Sequence, residues 1–479
     1  MNGILKKCRG SNRENKLLFV LFVSVSVLLF VAYLLSAFRS PVNADAGYYL
    51  GVVELIHNGL VPYRDFKLGY TPLFFYVLQV PRLFMGSYPN YSIYMLFLYL
   101  IVFFDAALLA AVVRKISNKK WAWFSAIVFL ALYYYLDGVY FVLEAFSVCF
   151  GLASIFLLIG NKQSVWRLIL SGAFAALAFL AKQYGVLFAG VVGILLLSSK
   201  DDWKKRMMNC LYAAIGFFVV LALFVAMFVI SGLAVGELIN ALSGSDYGRK
   251  ESSAYFEGFL KSIRLFPYLV FVPCLFIGEM KKEMGLVIAC LAALLLTSLQ
   301  FYFNVFPHYY IFMLPFVLIL NVLVWRHLNR LKVSRTLLLL YFGLLFVSIA
   351  LPMQSVYKNS KTLLKHDLRV GQEQTAKGIR NIVKSYGIES TMCYWGTLPY
   401  YALCPLYPSA IEKYGFSFGS DTEDTYCERL MASDCFVVEK KEMKEIEGMQ
   451  RFNKLLLEEF PFVETVPQSD VVVYVREKD

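Results

Sequence analysis

Apolar runs long enough to cross a bilayer recur along this chain, at about 17–38, 92–113, 121–137, 140–160, 208–231, 263–279, 284–303, 309–325 and 336–352. Two shorter runs, 168–181 and 184–198, are separated only by Lys182 and Gln183. Taken as two crossings or as a re-entrant hairpin, the pair brings the count to about eleven helices. The pattern predicts a polytopic α-helical membrane protein. The first run follows Lys6, Lys7, Arg9, Arg13 and Lys16; it is longer than the apolar region of a cleavable signal and reads as a retained anchor.

Short basic clusters punctuate the runs: the N-terminus, Arg114/Lys115/Lys119/Lys120, Lys162/Arg167, Lys200/Lys204/Lys205/Arg206, Lys281/Lys282 and Arg326/Arg330/Lys332/Arg335. With these on the cytoplasmic side, residues 39–91, the turn near Asp137, the Lys182 turn, 231–262, 303–308 and everything after Pro352 face outward. The chain thus divides into a membrane module, 1–352, and an extracytoplasmic tail, 353–479. In the first outer loop, 39–91, Asn43 is placed to cap a helix over 45–57 that stops at Gly59. A turn follows over 61–66, and Pro72 opens a second helix to about Leu83. Tyr48, Tyr49, Val52, Val53 and Ile56 fall on one face of the first helix, which predicts that it lies in the membrane interface. The tail reads as a small α/β domain: helices near 371–385 and 441–458, and strands near 391–395, 435–439, 462–465 and 471–475.

Composition agrees: 59% of residues are hydrophobic and only 17% charged, well below the roughly 25% of soluble proteins. The net charge of +12 sits in clusters between spans, which speaks for topology signals and against a nucleic-acid face. Nine Cys and four His show no zinc or haem spacing. Cys393, Cys404, Cys427 and Cys435 lie in the tail, where two disulfides or free thiols are both compatible with the sequence.

The outward segments hold the candidate chemistry. Asp45 opens the first loop helix, as a proton acceptor or as a helix-end carboxylate. Lys182 ends an apolar run, where an ammonium needs water or an anion. Arg64, Lys67 and Arg82 are further cations able to hold a phosphate or lipid headgroups. Glu144 lies near the outer end of its span and Asp105 deep in another, the latter read as an interhelical hydrogen-bonding group. Gln183 adjoins Lys182, and His308 with Tyr309 opens a span at the same face. The loop containing Asp246, Tyr247, Arg249 and Lys250 is a candidate lid.

In order along the chain, Asp45-Ala46-Gly47-Tyr48-Tyr49, Gly59-Leu60-Val61-Pro62-Tyr63-Arg64-Asp65-Phe66, Tyr70-Thr71-Pro72-Leu73, Ala181-Lys182-Gln183-Tyr184-Gly185, Pro307-His308-Tyr309-Tyr310 and Tyr394-Trp395-Gly396-Thr397-Leu398-Pro399 resemble the GT-C superfamily. That superfamily includes the protein O-mannosyltransferases and the lipid A aminoarabinose transferases. The resemblance implies an inverting glycosyltransferase of a bacterial cell membrane that takes its sugar from a polyprenyl-phosphate donor, with a glycan, lipid or protein acceptor. It assigns the general base to Asp45 and suggests Lys182, Arg82 and Arg64 for the donor phosphate, with Asp65, Glu144, Gln183, His308 and Tyr309 in support. Ala46 stands where the family has a second acid, so a divalent metal, which needs several oxygen ligands, is not expected and no cofactor is implied. A transporter, flippase, polymerase or ligase of lipid-linked glycans is the alternative; a transporter would place its polar residues near the midplane in paired halves.

Overall fold

A computed structural model describes residues 2–66, 68–86, 90–160, 164–236, 238, 265–277, 283–300, 306–331, 333–394, 397–403 and 423–476. Lys67, the lid residues Asp246, Tyr247, Arg249 and Lys250, and Trp395, Gly396 and Cys404 lie outside them.

Helices dominate. Among the described residues, four are long and apolar enough to cross a membrane: α1 (Asn2–Arg39), α5 (Tyr91–Ile116), α10 (Trp203–Ile230) and α14 (Arg335–Lys365). Around them pack α6 (Lys119–Tyr135), α7 (Glu144–Leu158), α8 (Val165–Ala181), α9 (Val186–Leu197), α12 (Met284–Gln300) and α13 (Leu314–Leu331). Small residues let backbones meet without polar groups to drive association. A Cβ on Gly172 would stand 1.7 Å from the Ala213 carbonyl oxygen, and one on Gly216 would stand 1.9 Å from that of Ile169, so α8 and α10 touch through two reciprocal glycines.

Two expected spans depart from the pattern. The run at 263–279 breaks into α11 (Phe266–Leu269) and a 3-10 turn, Val272–Phe276, because Pro267 and Pro273 each remove a backbone donor. Conversely, α14 runs through Pro352, the expected domain boundary, to Lys365. Val356, Ser360 and Leu363 stay buried beyond it, and Arg39 Nη1 donates to the Leu363 and Leu364 carbonyls at 2.9 and 3.2 Å, closing the helix end.

The first outer loop folds as α2 (Ala44–His57), α3 (Leu73–Val77) and α4 (Gln79–Arg82). Asn43 caps α2, its side chain accepting from the Ala46 amide. The helix is covered on all sides rather than along one apolar face, since Ala46 through Leu55 are all buried. One cause is the tail, whose helix α16 (Leu398–Leu403) packs so closely that a Cβ on Gly47 would lie 2.1 Å from the Leu398 carbonyl oxygen. The other is Arg82, which meets the one acid of the helix interior, Glu54, with Nε and Nη2 at 2.6 and 3.1 Å.

The tail also contains α15 (Val370–Ser385), α17 (Glu423–Met431), α18 (Met443–Gly448) and α19 (Gln450–Glu459). Its sheet has the order β1-β2-β4-β3, with β1 (Thr391–Cys393) parallel to β2 (Cys435–Glu439), and β4 (Val471–Val475) antiparallel to both β2 and β3 (Phe462–Thr465). Cys393, Cys427 and Cys435 are buried free thiols.

Candidate active site

The site gathers where α2, α7 and α8 end. Lys182 follows the last turn of α8 in extended conformation (φ −157°, ψ 137°), which turns its side chain off the helix axis. Its ammonium is buried and bonded to Glu144, the first residue of α7. The contact is braced from behind, because Ser147, one turn along α7, donates to the Ala178 carbonyl that also accepts the Lys182 amide. Tyr309 lies beneath the ammonium, 4.5 Å from ring centroid to Nζ, a cation–π contact. Gln183 donates to the Gly69 carbonyl at 3.0 Å, tying this turn to the first outer loop.

His308 completes the ring of charge. Its Nε2 is 3.9 Å from Glu144 and its Nδ1 is 3.8 Å from Asp137; its plane stacks on Phe306. The second carboxylate oxygen of Glu144 is buried without a hydrogen-bond partner.

Asp45 faces this group from the first turn of α2. With Asn43 already capping the helix, the carboxylate has no structural duty there, and among the described residues nothing hydrogen-bonds to it. Burial lifts its pKa above the ordinary carboxylate range; His308 and Lys182 draw it back, while Glu144 and Asp137 push it further up. Burial, with Asp45 and Glu144 adding to it, also pushes the Tyr49 phenol up, which keeps it a hydrogen-bond donor.

Asp45, Lys182, Glu144, His308 and Tyr309 therefore come together. Arg64, Arg82 and Asp65 are engaged otherwise. Arg64 forks onto Asp65 at 2.8 and 2.7 Å and donates to the Ser231 carbonyl. Asp65 also accepts from the Val61 amide at 2.7 Å, which fixes the 61–66 turn, where Tyr63 has φ 68°. The guanidinium of Arg82 is taken by Glu54. Asp105, on α5, has both oxygens buried without a hydrogen-bond partner and Cys149 of α7 as its neighbour.

Two members were missed in the sequence. Asp137 takes a left-handed conformation (φ 66°) before Gly138, whose Cβ would collide with Tyr133; an Asp-Gly pair between two apolar runs was the available signal. Tyr49 was assigned only to an apolar face. Among the described residues, no three His, Cys, Asp or Glu side chains are grouped as a metal ion would require.

No family model matches the chain, and no curated protein matches it in sequence. Solved structures do. ArnT from Cupriavidus metallidurans bound to undecaprenyl phosphate superposes with a TM-score of 0.63 at 15% identity, covering 95% of this chain and 97% of that one. The apo form of the same protein gives 0.63 at 16%. The apo oligosaccharyltransferase of Archaeoglobus fulgidus gives 0.51 at 10% identity, over 87% of this chain and 70% of that one. The chain shares the fold of these proteins along nearly the whole backbone, and the apolar helices with this fold make it an integral membrane protein.

Proposed function

We propose that this protein is an inverting glycosyltransferase that moves a sugar from a polyprenyl-phosphate donor to an acceptor hydroxyl at the outer face of a bacterial cell membrane. One observation carries the reading: a partly buried carboxylate, released from capping by Asn43 and unbonded among the described residues, faces a lysine and a histidine. The likeness in fold to a protein solved with undecaprenyl phosphate supports the class of donor. In this reading about eleven helices span the bilayer, with the N-terminus in the cytoplasm and the tail outside.

Asp45 accepts the proton of the acceptor hydroxyl as that oxygen attacks the anomeric carbon. The bond from this carbon to the phosphate oxygen breaks on the opposite face, and the lipid phosphate departs as an anion. Lys182 neutralises the departing charge, an interaction typically worth roughly 3–4 kcal/mol. Glu144 holds the ammonium in place until the phosphate arrives, and Tyr49 and His308 line the path of the hydroxyl. Arg64 and Arg82, ion-paired to Asp65 and Glu54 as Lys182 is to Glu144, are the further phosphate cations of this reading. The displacement as written needs no metal ion.

The test is a membrane assay with a panel of radiolabelled polyprenyl-phosphate sugars. Wild type transfers sugar from one of them and Asp45→Asn does not. Full activity in the Asn variant, or movement of the lipid across the membrane without transfer, overturns the reading.

A further inference from the structure

At the end of α8 remote from Lys182, the first residues of α8 and α10 and the last of α9 come together. Exposed Trp166 and Trp203 stand there, one on each of α8 and α10, as indoles do at a bilayer interface. Inward from them a crevice of about 250 Å³ lies between the three helices. Its walls are apolar and mostly small, among them Gly172, Ala175, Gly193, Cys210, Ala213 and Phe217. It is smaller than the roughly 300–1,000 Å³ of drug-sized sites and has no polar side chain to orient a soluble ligand.

Its basic end is charged. Lys200, Lys204, Lys205 and Arg206 face two carboxylates, Asp201 and Asp202. Lys205 pairs with Asp201 at 2.6 Å, and Asp202 is occupied in capping α10. Arg206 lies one turn before Cys210 and so continues the crevice stripe on α10. It donates to two backbone carbonyls, those of Asp201 and Leu197.

We propose that this crevice holds an acyl chain of an anionic glycerophospholipid whose headgroup rests on Arg206 and Lys204. An apolar slot between helices, cations at its basic end and indoles beside them together match one molecule with a chain at one end and a negative charge at the other. The site lies at the far end of α8 from the proposed chemistry and does not depend on it.

Native mass spectrometry of the full chain in detergent, titrated with phosphatidylglycerol or with phosphatidylcholine of the same chains, tests this. Phosphatidylglycerol adducts persist at about one twenty-fifth of the phosphatidylcholine concentration, since each of the two cations favours an anionic lipid about fivefold. Gly193→Leu removes them: nothing lies within 4 Å of its Cβ position, so the new side chain fills the crevice and leaves the backbone in place. Gly343→Leu, also with nothing within 4 Å, keeps them, and Arg206→Gln weakens them about fivefold. Equal binding of the two lipids, adducts that survive Gly193→Leu, displacement by equimolar undecaprenyl phosphate, or a dimer lost in Gly193→Leu would each overturn the proposal. The first comparison uses wild type alone and stands even if a variant fails to fold.

Discussion

At the scale of the residue, Asp45 is held in an environment that opposes its charge. Its pKa is raised by burial before any neighbour acts, and as a base it works only when ionised. Turnover should therefore fall with decreasing pH through a midpoint above the usual carboxylate range. Asp45→Asn should lower the rate by roughly 10²–10⁴ above that midpoint, with the two proteins converging below it. Stability moves the other way. A carboxyl whose folded pKa exceeds its unfolded value binds its proton more tightly in the fold, so it favours folding at low pH and loses that contribution as pH rises through the folded pKa. Thermal unfolding in detergent should show Asp45→Asn above wild type at neutral pH and level with it at pH below the unfolded carboxylate value. Lys182 has the opposite character. Lys182→Met strands Glu144 in a buried position, at a cost of roughly 3–5 kcal/mol. Adding Glu144→Gln should recover most of that stability and none of the transfer activity. Both candidates were legible as residues because each breaks a local rule, an acid beside an available cap and a lysine ending an apolar run. Their companions were not. Glu54 and Arg82 are 28 positions apart, and nothing in local spacing announces that Arg82 is already taken.

At the scale of the element, the helix carrying Asp45 is gripped by the tail. The Gln372 side chain pairs with both the amide and the carbonyl of Val42, at 2.8 and 3.0 Å. Arg369 donates to the Ser36, Ala37 and Ser40 carbonyls, closing the end of α1. Its Nη1 donates to the Ser92 hydroxyl at 2.6 Å. Gly47 is the tightest point of the grip. Gly47→Ala puts a methyl against backbone atoms of Leu398, so overpacking of roughly 1–3 kcal/mol is expected, with Asp45, two residues away, displaced. Unfolding temperature and transfer rate should fall together in this variant, whereas Gly343→Ala should change neither. Strands were readable from alternation and β-branching, and β2, β3 and β4 fall on the expected 435–439, 462–465 and 471–475. The short helices α16 and α17 were not, since six and nine residues carry too little period to stand out. The grip itself joins positions some 330 residues apart, which no local pattern encodes.

At the scale of the whole molecule, the membrane module and the tail share the construction of the candidate site, with Asp45 on one and the residues that clamp its helix on the other. Removing everything after Lys365 should leave a membrane-inserted chain whose α2 amides exchange hydrogen far faster than in the full protein. Unchanged protection would show that the outer loop holds itself. Hydropathy gave the membrane class and most helix positions, because burial in lipid demands long apolar stretches. It could not separate a straight span from the proline-broken 263–279 segment, nor foresee that α14 continues past its apolar part.

That continuation sets a height. From Met353 to Lys365 the helix adds roughly 20 Å at 1.5 Å per residue, with Arg39 bolted to its tip. The helix ends four residues before Arg369, so its length sets where that guanidinium and the Gln372 amide meet the end of α1 and Val42.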